Sequence, residues 1–224
     1  GAKEVIGLSL HATVTKGLEG NMPEVQRILG LVGLGESQEV QFNMNQCFDD
    51  RIANLNGRLE RGESLLDSNM ASMDCIKQSI LVVAPAIGLA KYNSSIAGMT
   101  VPAGVNLTSP EMRTRVQTQV RSCFERSLSS IPSMNELSTS LEQITANCTL
   151  SLYQELVPSI VQDVLRIKVA ANFTDEYEKR RVLNALDGRF RQQVMAQTDP
   201  AAIIALIDSF TLEATFYVLE EALK

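Results

Sequence analysis

Apolar residues recur along the chain at three- and four-residue intervals, and sustained alternation is absent, so the pattern predicts helices and no strand. The first run is Val25, Ile28, Leu29 and Val32, opened by Pro23-Glu24 and stopped by Gly33 and Gly35. From Glu39 to Gln78 the apolar positions Ile52, Leu55, Leu59, Leu65, Leu66, Met70 and Met73 keep a mostly helical period. Gly57 and Gly62 weaken the middle of that stretch, which predicts either a kinked long helix or a hairpin turning near Gly62. The longest apolar run, Ile80 to Ala90, is interrupted by Pro85 and Gly88. It falls short of the roughly 20 residues a bilayer span requires, so no transmembrane segment is expected.

The second half carries sharper boundaries. Thr108-Ser109-Pro110-Glu111 starts a helix with an N-cap hydroxyl, Pro at the first position and an acid in the first turn. Pro132 ends that helix, and Ser133 with Glu136 forms a capping box for the next. The latter helix meets Pro158, which is expected to kink or end it. Thr174-Asp175-Glu176 caps a further helix whose expected end is Gly188, and Asp199-Pro200 opens the last, 200–223. Between the halves, 91–109 holds Gly98, Pro102 and Gly104 and reads as a linker. The expected fold is therefore all-α, a disulfide-stapled helical bundle of about six to nine helices. It forms a single domain, 1–224, with candidate halves 21–92 and 108–224 that echo each other across a linker at 93–107.

The echo lies in the cysteines. Cys47-Phe48-Asp49 leads to Cys75, and Cys123-Phe124-Glu125 leads to Cys148. Four cysteines allow three pairings. A turn near Gly62 would set Cys47 and Cys75 at the same height on a hairpin, within reach of a disulfide. A turn at Pro132 leaves Cys123 and Cys148 mismatched by about 10 Å along the axis at 1.5 Å per residue, so the second pairing stays open. No CxxC spacing offers a redox or zinc site, and a structural role is expected for all four.

Composition narrows the partner. The net charge of −6 argues against nucleic acid, which selects basic faces. With seven Phe, four Tyr and no Trp, the core has to be built mainly from aliphatic residues and Met. Four sequons, at Asn93, Asn106, Asn147 and Asn172, agree with the even cysteine count in favouring secretion through an oxidising compartment. The start at Gly1, with neither Met nor a leader, is read as a mature or engineered one.

A Cys-Phe, a helical stretch of 25–28 residues to a second Cys, and two further cysteines resemble the tsetse EP-type domain of secreted dipteran proteins. Cys47, Phe48, Cys75, Cys123 and Cys148 carry the resemblance, which covers about half the chain. The tsetse protein's acidic dipeptide repeat tail has no counterpart here. The resemblance implies an insect secreted protein of gut, haemolymph or reproductive tissue, and no defined molecular activity.

Chemistry-bearing residues are sparse. His11 is the single histidine and reads as solvated, without partners for a triad or a metal site. Asp49-Asp50, Asp175-Glu176, and Glu213 with Glu220-Glu221 sit at helix starts or on polar faces, where dipole and solvation account for them. Lys179-Arg180-Arg181 with Arg189 and Arg191 forms the one basic cluster and reads as a solvated helix face. Gly30, Gly33 and Gly35 follow a helix and lack the Gly-Lys-Ser/Thr of a phosphate loop. The expectation is a protein that is not an enzyme and uses no metal and no cofactor.

The last helix is apolar on more than one face. A helix of that kind is buried centrally or lines something apolar. Joined to Ile80–Ala90 and Leu156–Val169, it suggests a wall for a lipid or other apolar small molecule, with Phe210, Phe216, Ile204 and Leu156 as wall residues. The other expectation is a protein partner or structural role in insect gut, haemolymph or seminal fluid, with the core filled.

Overall fold

The structure, a computed structural model of the chain, describes residues 23, 38, 42–47, 49–51, 53, 68–97 and 105–223. Expectations for the Val25–Val32 helix, the turn near Gly62, His11, the Gly30–Gly35 loop and residues 98–104 of the linker lie outside these residues. Residues 42–47 and 49–51 are helical, and five helices follow: α1 (Ser68–Ile96), α2 (Pro110–Ser129), α3 (Met134–Asn172), α4 (Glu176–Met195) and α5 (Pro200–Ala222). No strand occurs among the described residues, and the fold is all-α.

The helix starts follow from local chemistry. Ser109 Oγ accepts from the Met112 amide, Ser133 Oγ from Glu136, Asp175 Oδ1 from Glu178 and Asp199 Oδ1 from Ala201. Each satisfies an amide that the first helical turn leaves without a partner. At three places a residue that can break a helix does not end one. α3 continues through Pro158 to Asn172, because the ring's cost of about 3 kcal/mol is outweighed by its buried neighbours. Leu156, Val157, Ile160 and Val161 are each 1–2% exposed, and burial of such side chains contributes about 1.5–3 kcal/mol apiece. α4 passes Gly188 and ends at Met195. A glycine there costs only about 1 kcal/mol relative to alanine, and Phe190 and Val194 beyond it are buried. α1 likewise passes Pro85 and Gly88 and takes the first residues of the expected linker.

The described residues fall into two compact units, each assembled from separate stretches of chain. One takes the residues up to Pro85 together with Arg121–Thr145. Cys47 and Cys75 are bonded there, with α-carbons 5.6 Å apart. Arg51 pairs with Asp74 at 3.2 Å, and Lys77 Nζ donates to the Ile131 carbonyl at 2.6 Å. Met44, Ile76, Ile80, Leu128, Leu137 and Leu141 are its most deeply buried large side chains.

The other unit takes Ala86–Val120 and the described residues from Ala146 onward. Its α4 buries one residue per turn, Val182, Leu186, Phe190 and Val194. α5 buries Ile203, Ile207, Phe210, Ala214 and Val218. The Phe190 and Phe210 rings meet at 4.7 Å between centroids in a tilted arrangement. All four cysteines of the chain are disulfide-bonded, and none is free. Two disulfides point to an oxidising, extracellular environment.

Candidate functional site

α5 has two apolar faces. Its buried set follows the spacing 203, 207, 210, 214, 218. A second set, Leu212, Phe216, Leu219 and Leu223, repeats at i, i+4, i+7, i+11 and lies about half a turn away. These four side chains are 61%, 66%, 47% and 89% exposed. Aliphatic and aromatic surface in one stripe on a helix has no stabilising partner in water. Glu213 and Glu220, seven residues apart and both exposed, run along one edge of the stripe.

What holds the inner face explains why the outer one stays outward. Arg181 of α4 reaches Glu221 of α5 at 2.7 Å, and the Glu221 side chain is only 7% exposed. Hydrogen bonds to Glu178 and Glu221 hold the Arg181 guanidinium in its charged form and raise its pKa above the ordinary value. The Arg189 guanidinium lies 5.0 Å over the Tyr217 ring. Lys168 Nζ of α3 donates to Thr215 Oγ1 at 2.6 Å. α5 is thus fastened by α3 and α4 through Thr215, Tyr217 and Glu221, positions that all avoid the outer stripe. Length and apolarity alone would let α5 span a bilayer, and 28% of its most apolar window is buried. The helix Met73–Ile96 within α1 passes the same test with 44% buried.

The four expected wall residues occupy different settings. Phe210 and Leu156 are each 1% exposed within the core, Phe210 against Phe190. Ile204 is half-buried, and Phe216 projects from the outer face of α5. An open depression of about 530 Å³ lies along α2, lined by Pro110, Glu111, Thr114, Arg115, Thr118 and Gln119. It is open to solvent along its length, so it encloses no ligand.

The basic cluster is largely engaged within the protein. Lys179 pairs with Glu176, Arg181 with Glu178 and Glu221, and Arg191 with Asp187, all at 2.7 Å. Among the described residues no group of three or more His, Cys, Asp or Glu side chains is placed to hold a metal ion.

The four sequons occupy different settings. Asn93 lies within α1, where its Oδ1 is buried without a hydrogen-bond partner. Asn147 is inside α3, and Asn172 is its last residue, with Nδ2 donating to the Lys168 carbonyl at 2.8 Å. Asn106 stands in the loop between α1 and α2. There Leu107 is buried, at 7% exposure, and its carbonyl accepts from the Tyr92 hydroxyl at 3.0 Å. Burial, and next the neighbouring Tyr153, push the Tyr92 pKa up to about 12. Burial also raises Tyr153, partly offset by its 2.7 Å hydrogen bond with Ser95.

The outer stripe of α5 is a signal the sequence carries in plain heptad-like spacing, yet two such stripes compete on that helix and periodicity does not say which one docks. Comparison with protein-family models, with curated proteins and with solved structures finds no match to this chain.

Proposed function

We propose that this is a non-enzymatic extracellular binding protein whose working surface is the outer face of α5. The partner is another protein presenting an amphipathic helix with basic residues along one flank. The observation that carries this reading is the exposed stripe of Leu212, Phe216, Leu219 and Leu223. Helices read one another through apolar residues at i, i+3 or i+4, and i+7. Glu213 and Glu220 on the stripe's edge favour Lys or Arg opposite them, and they disfavour a second copy of α5 laid antiparallel, which would set acid against acid. An apolar molecule held between helices is the weaker reading, because Phe210 and Leu156 already pack within the core. Secretion in an insect, and membership of the EP-type group, belong to the same proposal; the bonded Cys47–Cys75 pair supports only the passage through an oxidising compartment.

The test is binding of a synthetic helical peptide with leucines at that spacing and lysines along one edge, measured by calorimetry. Binding that disappears in F216D/L219D, with the melting temperature unchanged, supports the proposal. A peptide with glutamates in place of the lysines should bind more weakly. Failure to bind either peptide, together with uptake by neutral phosphatidylcholine vesicles, would replace the protein partner with a bilayer. Concentration-dependent mass in sedimentation would replace it with a second copy.

A further inference from the structure

We infer that Asn106 carries an N-linked glycan and that Asn93 does not. The inference rests on the extracellular reading, since the modification requires passage through a secretory pathway. In Asn106-Leu107-Thr108 the side chains alternate. Asn106 and Thr108 are exposed, and Leu107 between them is buried. The buried leucine and the Tyr92 hydroxyl on its carbonyl anchor the loop at its middle residue, so both recognised side chains face outward. Asn106 Oδ1 accepts from the Thr108 amide at 3.0 Å and from the Thr108 hydroxyl at 3.2 Å. The carboxamide oxygen is thereby turned toward Thr108, and Nδ2 is on the other side of the same carbon, in a side chain that is exposed.

The transfer balances with a lipid-diphosphate-linked oligosaccharide as donor. Asn106 Nδ2 forms a bond to C1 of the first sugar and loses one proton. The bond from C1 to the diphosphate oxygen breaks, and the lipid diphosphate leaves with that electron pair. No oxidation or reduction occurs. A glycan placed there extends from a surface loop and displaces no packed side chain. Asn93 presents the opposite case. Its Oδ1 is fully buried, and a glycan on the adjoining Nδ2 would have to pull the carboxamide out of α1's packed face. Asn147 and Asn172 are exposed but lie in helical backbone, and the Asn172 Nδ2 is already donating to Lys168.

The experiment is secretion of the full chain from insect cells behind a cleavable leader. Peptide mapping after enzymatic deglycosylation in heavy-oxygen water then marks each occupied Asn as a labelled Asp. The label is expected at position 106 and absent at 93. N106Q and T108V should each remove the mass of one glycan, and T108S should restore it. Because T108S keeps a hydroxyl at the recognised position, its recovery separates lost recognition from misfolding. A secreted, disulfide-bonded protein bearing label at 93, or none at 106, overturns the inference and leaves the extracellular reading standing. Free thiols in protein from its natural source would overturn that reading instead.

Discussion

Gly88 and Val120 touch where α1 meets α2: a β-carbon on Gly88 would stand 2.5 Å from Val120 Cγ2 and 3.1 Å from its Cγ1. No side-chain atom fits there, so the glycine sets how closely the two helices approach. G88A should destabilise the protein by about 1–3 kcal/mol, the usual cost of overpacking. V120A removes both offending methyls and should cost less in the G88A background than alone. A double-mutant cycle by urea unfolding measures the coupling, and simple additivity would sink this account.

The two phenylalanines of α5 should behave oppositely. F210A removes the ring packed on Phe190 and should cost about 3–5 kcal/mol. F216A removes a ring 66% exposed to solvent and should change stability by no more than about 0.5 kcal/mol. Thermal unfolding of the two variants side by side checks the assignment of inner and outer faces.

Tyr92 links the loop to alkaline stability. Its folded-state pKa, about 12, lies above the ordinary value of 10, so the folded state favours the neutral phenol. The corresponding stability is complete below pH 10 and is lost as pH climbs through 12. Y92F leaves the Leu107 carbonyl without its donor and should cost about 1–2 kcal/mol at neutral pH. The same variant should lose less stability than the parent between pH 10 and 12. Tyrosinate absorbance, followed together with helical circular dichroism, tests both halves of this statement.

The Cys47–Cys75 bond closes a sequence separation of 28 residues. On the chain-entropy account, a loop of that length stabilises the folded state by about 3–4 kcal/mol. C47S/C75S should therefore unfold at a clearly lower urea concentration. An unchanged midpoint would overturn this account of the bond.

Much of the helical framework is legible in the sequence because helix starts are local events. Ser109, Ser133, Asp175 and Asp199 each cap an amide two or three residues ahead, and no distant residue is needed to recognise them. The all-α class follows from the same short-range periodicity, and the structural use of the cysteines from their number and the missing metal or redox spacing. Where helices stop is a different matter. Pro158 and Gly188 are local breakers, yet α3 and α4 continue through them because buried neighbours on both sides outweigh a few kcal/mol of backbone cost. The tight spot at Gly88 depends on Val120, which is 32 residues further along the sequence. The same limit applies to α5, where two apolar stripes are equally readable along the chain. Only the packing of Phe190, Arg181 and Lys168 against that helix decides that Phe210 lies inside and Phe216 faces water, since burial is set by long-range contacts and spacing by the helix itself.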